Sequence, residues 1–121
     1  MQDNILLKIK QDQKKILNLV ARVEKTKNNS DRSKFFRKMK HLIVLSLAAE
    51  HHYLHHHFNQ EKMSLRNLKA LNTSDLDQHN IRDILQRMNL MNSNTSDWLA
   101  ELKDLKQKIC LHIKQEAKIL S

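Results

Sequence analysis

The sequence contains no glycine and no proline, and one cysteine, one tryptophan and one tyrosine in 121 residues. Each absence excludes something. Glycine and proline punctuate strands and supply the tight turns of hairpins, so a β-rich architecture has nothing here to build its corners from. A single cysteine, Cys110, cannot close an internal disulfide and suits a reducing compartment. A glycine-rich phosphate loop is ruled out, and no Ser-His-Asp arrangement is present. The longest apolar run, residues 42–49, is interrupted by Ser46 and is too short to span a bilayer. The first ten residues, MQDNILLKIK, hold no continuous apolar segment of the signal-peptide kind. A soluble, cytoplasmic protein without membrane insertion and without enzymatic activity is the expectation.

What is present favours helix. Leu, Lys, Gln, Ala and Met dominate, apolar residues make up 40% of the chain, and the length suits one domain over residues 1–121 with a real core. The balance of 22 Lys and Arg against 13 Asp and Glu gives a net charge of +9. That excess permits attraction to nucleic acid, acidic lipid or an acidic protein. The bases are spread through every segment, however, and no arginine-rich stretch with interleaved aromatics stands out, which is the pattern of solvated helix faces.

Polar, asparagine-rich breaks divide the chain into four periodic segments. The first covers residues 3–25, with Leu6, Ile9, Ile16, Val20 and Val23 on one face. KTKNNSD ends it, and Ser30 or Asp31 is placed to cap the second segment, residues 32–58. There Phe35, Met39, Leu42, Ile43, Ser46, Glu50 and Tyr53 form the inner stripe. A long connection follows, NQEKMSLRNLKALNTSD, in which SLRNLKAL suggests a short extra turn. Ser74 is the expected cap of the third helix, with Asp77 in the acidic position of a capping box. Ile81, Ile84, Leu85 and Met88 line its inner face. The fourth helix is expected from about Asp97, repeating Trp98, Leu102, Leu105, Ile109, His112, Glu116 and Ile119. Four amphipathic helices with short links predict an all-α, up-down-up-down four-helix bundle.

Two of these stripes are not purely apolar. His112 and Glu116 fall in phase with the core residues of the fourth helix, one turn apart. Ser46 and Glu50 do the same on the second. Carboxylates facing a dry core are costly unless they are paired, hydrogen-bonded or bound to metal.

A bundle with Ser46-x-x-x-Glu50 on its second helix and His112-x-x-x-Glu116 on its fourth resembles the hemerythrin-like, HHE cation-binding family, where both steps are His-x-x-x-Glu, and the resemblance covers nearly the whole chain. In that family the first helix opens with an Asp-His pair, the third helix gives one more histidine, and together the ligands hold two irons that bind or sense oxygen. The sequence keeps the frame and half of the ligands. In QDQKKILNLV, Gln13 stands at the histidine position. VLSLAAEHHYL keeps Glu50 and puts Ser46 where the other histidine belongs. On the third helix, aligning Ile81, Ile84, Leu85 and Met88 places Gln78 at the ligand position, and helical phase agrees, with His79 pointing away. LHIKQEAKIL preserves both His112 and Glu116.

The resemblance therefore implies a divergent member with an incomplete di-iron site. Serine and glutamine are much weaker ligands than imidazole, and two irons need about five or six protein donors. One reading is metal-free: Gln13, Ser46 and Gln78 hydrogen-bond to Glu50, His112 and Glu116, with His112 protonated, in a non-catalytic binding or interaction module that takes a protein partner. In that reading no cofactor is bound. An alternative is a single iron, manganese or zinc ion held by Glu50, His112 and Glu116. A second alternative is a basic helical adaptor for nucleic acid or an acidic partner.

Six of the eight histidines lie within residues 41–58. His51 pairs with His55, and His52 with His56, at the one-turn spacing that can chelate a transition metal on a helix surface. Only His57 is in phase with Glu50, about 10 Å further along the axis. His41 falls on the side opposite Ser46. The cluster is expected to face solvent. Cys110 has no in-phase base and acid and reads as an apolar filler.

Overall fold

The structure, a computed structural model, describes residues 2–59 and 65–119. They form four α-helices: α1 (Gln2–Lys25), α2 (Asn29–Asn59), α3 (Leu65–Asn89) and α4 (Ser96–Ile119). No strand occurs among the described residues, and no helix there is long and apolar enough to cross a membrane. The main packing pairs are α1 with α2 and α3 with α4, and contacts of α2 with α3 and α1 with α4 join the two pairs.

One apolar core draws on all four helices. Val20 and Val23 of α1, Met39 and Ile43 of α2, Ile81 and Ile84 of α3, and Leu102 and Leu105 of α4 are all buried in it. Each such side chain contributes roughly 1.5–3 kcal/mol by leaving water. Trp98 meets Phe36 edge-on, with ring centroids 5.3 Å apart at 71°, a favoured aromatic geometry.

The inner stripe of α2 is set one residue away from its expected start. Phe36, not Phe35, is buried, while Phe35 is half-buried beneath the Arg22 guanidinium at 5.1 Å. Further along, Leu47 and Leu54 are buried, and Leu42 and Tyr53 are half-buried. A helix advances 100° per residue, so adjacent positions share the boundary of a wide apolar face, and periodicity alone does not choose between them.

The helix starts also differ. Asn28 caps α2, its side chain accepting a hydrogen bond from the Asp31 amide at 3.2 Å, where Ser30 or Asp31 was the expected cap. Thr95 caps α4 through the Trp98 amide at 3.3 Å. The larger correction concerns α3. Ser74 does not cap it but lies inside it, 3% exposed, because Leu71, Ser74 and Gln78 continue the face of Ile81 backward at three- and four-residue steps. The turn expected in SLRNLKAL is part of that same helix from Leu65 onward, Ser64 lying outside the described residues.

At the end of the molecule where the links 26–28 and 90–95 lie, Arg32 closes the core. Its guanidinium donates to the Thr26 carbonyl and the Ser93 carbonyl, both at 3.0 Å, and lies 6.0 Å from the Trp98 ring. Ser93 also bonds to Asn29. One arginine thus fastens the α1–α2 link to the α3–α4 link, and the polar residues gather elsewhere along the helices.

Candidate functional site

A layer of buried polar side chains crosses the core. Gln13 comes from α1, Ser46 and Glu50 from α2, Gln78 from α3, and His112 and Glu116 from α4. All six are at most 9% exposed. They are polar members of faces that are otherwise apolar, so the packing of the helices brings them together. His79, adjacent to Gln78, is exposed and paired with Asp83 at 3.4 Å. His41 is exposed as well.

Three of the four glutamate oxygens accept a hydrogen bond, and the fourth, Glu116 Oε1, has only the ion pair with His112. The Gln13 amide donates to Glu50 Oε1 at 3.1 Å and to Glu116 Oε2 at 2.7 Å, linking α1 to both α2 and α4. Ser46 Oγ adds a longer bond of 3.4 Å to Glu50 Oε1. His112 Nε2 lies 3.0 Å from Glu50 Oε2 and 3.2 Å from Glu116 Oε1. Its Nδ1 looks toward Asp77 Oδ2 at 3.8 Å, longer than a hydrogen bond but within ion-pair range.

The electrostatics follow from this geometry. Burial by itself disfavours the charged imidazole. The hydrogen bonds and charges of Glu116 and Glu50 outweigh it and raise the His112 pKa from 6.5 to about 10. His112 is therefore an imidazolium at neutral pH. Burial raises the Glu116 carboxyl from 4.5 to about 7, against the opposing pull of the His112 hydrogen bond and with the charge of Glu50 adding to the rise. The pair holds its protons jointly, and Glu116 is the carboxyl that gains one on mild acidification.

Some polar atoms of the layer have no hydrogen-bond partner. Buried Gln78 Nε2, Ser74 Oγ, His112 Nδ1, Asp77 Oδ2 and Glu116 Oε1 are among them. A cavity of about 20 Å³ lies beside Gln13, Glu50 and His112, walled by Ile16, Ile43, Leu47, Ile81, Ile109 and Ile113. That is room for roughly one water or one small ion. The donor atoms of Glu50, His112 and Glu116 all lie within 4.8 Å of one another, close enough to hold such an ion. A groove of about 270 Å³ between α1 and α4 reaches the layer from outside. Ile9, Leu17, Ile113 and Ala117 line it, with Lys10, Lys14, Gln13 and Glu116.

The histidine cluster on α2 divides in two. His51, His52 and His56 are exposed and His55 is half-buried, while the side chain of His57 lies outside the described residues, as does that of Ile119. His51 and His55 both bond to Asp75 of α3, a residue that the sequence pattern did not single out. Asp77, read as a capping residue, faces His112 instead. Asp75 falls at the end of the segment taken for a connection, and Asp77 in the first turn of the helix expected after it. Cys110 is half-buried and has no role in the layer.

Comparison of the chain with protein-family models, with curated proteins and with solved structures returned no match.

Proposed function

We propose that the chain is a hemerythrin-like, up-down-up-down four-helix bundle that has lost its di-iron centre and serves as a non-catalytic binding or interaction module. A protein partner is the expected ligand. The observation that carries this reading is the bridging of Glu50 and Glu116 by the Gln13 amide. Side chains alone satisfy both Glu50 oxygens and Glu116 Oε2, and the His112 imidazolium stands 3.2 Å from the remaining Glu116 Oε1 as its counter-ion. An uncompensated pair of buried carboxylates would be strongly destabilising, so this bridge lets the layer persist as a structural element.

The residues do not fit a pair of irons. Two metal ions sit about 3.5–4 Å apart and share a full set of ligands. The layer offers Glu50, His112 and Glu116 as good donors, and its cavity is about 20 Å³. A single iron, manganese or zinc ion is the second reading, favoured by the convergence of those three donors within 4.8 Å. Asp77, facing His112 Nδ1, would then orient the imidazole as carboxylates behind metal-bound histidines do.

Metal analysis of untagged protein from iron- and zinc-supplemented medium separates the two. The proposal expects no metal whose stoichiometry depends on His112. One equivalent of metal that disappears in His112→Ala would establish the second reading, and two equivalents of iron would overturn both.

A further inference from the structure

We propose that His51 and His55 of α2 and Asp75 of α3 form a second, surface site for a divalent transition-metal ion of the zinc class, which clamps the two helices together. The site shares no residue with the buried layer and does not depend on how that layer is read.

The geometry is close to what an ion requires. His51 Nδ1 lies 3.1 Å from Asp75 Oδ1, and His55 Nε2 lies 3.2 Å from both Asp75 oxygens. The three donor atoms all lie within 4.8 Å of one another. In a tetrahedral site with metal–nitrogen distances of ~2.0–2.1 Å, neighbouring donors are about 3.3 Å apart. Only small side-chain rotations separate the hydrogen-bonded arrangement from a ligating one. Two imidazoles and a carboxylate are donors that suit zinc, and three protein ligands leave a fourth position for water.

Spacing along α2 does not by itself make such a site. His52 and His56 have the same one-turn separation, yet their rings stack 6.4 Å apart at 8°, whereas those of His51 and His55 approach to 4.1 Å at 41°. His51 and His55 converge on a carboxylate delivered by another helix, Asp75 of α3. The three side chains are between one-third and one-half exposed, so an ion reaches them from solvent and displaces only solvated hydrogen bonds. Because the ligands come from two helices, binding favours the folded state, and the midpoint of unfolding rises with ion concentration.

The test is calorimetric titration of zinc chloride into untagged, EDTA-treated and dialysed protein, with a thermal melt at each zinc concentration. One zinc equivalent per chain is expected with a rise in Tm of several degrees. Asp75→Ala and His51→Ala should each lower the affinity at least tenfold and abolish the rise, and His52→Ala should leave both intact. All three positions are at the surface, so the variants keep the core, and circular dichroism checks this. Zinc affinity unchanged by Asp75→Ala, or binding that leaves Tm unmoved, would reduce the cluster to incidental histidine chelation and overturn the clamp.

Discussion

Replacing Gln13 by methionine removes both amide donors from the buried layer while keeping a side chain of similar length. Two hydrogen bonds are lost, one of 2.7 Å to Glu116 and one of 3.1 Å to Glu50. A bond to a charged acceptor contributes about 1.5–3 kcal/mol net, and a bond to a neutral one about 0.5–1.5 kcal/mol. Burial of the thioether offsets about 1 kcal/mol of the loss. At pH 8.5, above the Glu116 pKa of about 7, the Glu116 acceptor is charged and the net destabilisation from the two lost bonds is about 2–5 kcal/mol. At pH 5.5 the Glu116 carboxyl carries a proton, its bond to Gln13 falls to the neutral value, and the destabilisation shrinks by about 1–2 kcal/mol. Urea unfolding followed by circular dichroism measures this directly. With a slope of about 2 kcal/mol/M, the midpoint drops by about 1–2.5 M at pH 8.5 and by distinctly less at pH 5.5. A drop below about 0.3 M at pH 8.5 would show that Gln13 does not hold the two carboxylates, and large but equal drops at both pH values would show that Glu116 gains no proton between them.

Three further outcomes follow from the same coordinates. The His112 ring should titrate by NMR near pH 10 instead of near 6.5. A raised histidine pKa stabilises the fold fully below pH 6.5 and ceases to do so as pH climbs through 10, so the urea midpoint should fall over that window. A ring titrating near 6.5 would contradict the buried ion pair. The double variant Gln13→His/Gln78→His brings the layer to five strong donors and should take up iron stoichiometrically. A folded variant without iron would count against the family resemblance. Arg32→Ala removes two hydrogen bonds and a contact with Trp98, and should cost about 2–4 kcal/mol in urea unfolding. A loss under about 0.5 kcal/mol would mean the two links hold together without it.

How much of this was legible in the sequence depends on which signal carried each residue. Most of the polar layer followed from phase: Ser46 and Glu50 interrupt one apolar stripe, His112 and Glu116 another, and Gln78 is three residues before Ile81, whereas Gln13 came from the family resemblance alone. A 3.6-residue period is a global property of a helix, so it survives errors in the helix ends. The start of α3 was misread because Asn72, Thr73, Ser74 and Asp75 look like a break. Tertiary contacts override that local preference, since Leu71 is buried and extends the inner face. The misreading hid Asp75 and gave Asp77 a capping role, whereas their partners depend on α3 running alongside α2 and α4 at that level. Cross-helix pairs of this kind leave no mark on the periodicity of either helix. Phe35 and Phe36 show the remaining limit, for both fit the edge of a broad apolar face and only packing against Trp98 selects the second.

The two clusters on α2 differ most in what an ion must displace. At the surface, His51, His55 and Asp75 exchange solvated hydrogen bonds for metal bonds, and water replaces whatever is lost. In the buried layer, an ion at Glu50, His112 and Glu116 has to remove the proton that His112 Nε2 donates to Glu50, beside the Glu116 carboxylate. Holding that imidazole neutral at pH 7 against a pKa of about 10 costs ~4 kcal/mol, or roughly a thousandfold in affinity. Any affinity of the buried site should therefore climb about tenfold for each pH step of one between 7 and 10. Manganese titrations of the His51→Ala/His55→Ala variant at several pH values isolate this dependence from the surface site. A flat profile with tight binding at pH 7 would mean that His112 is already neutral in the folded chain, and the argument for a self-satisfied layer would fail with it.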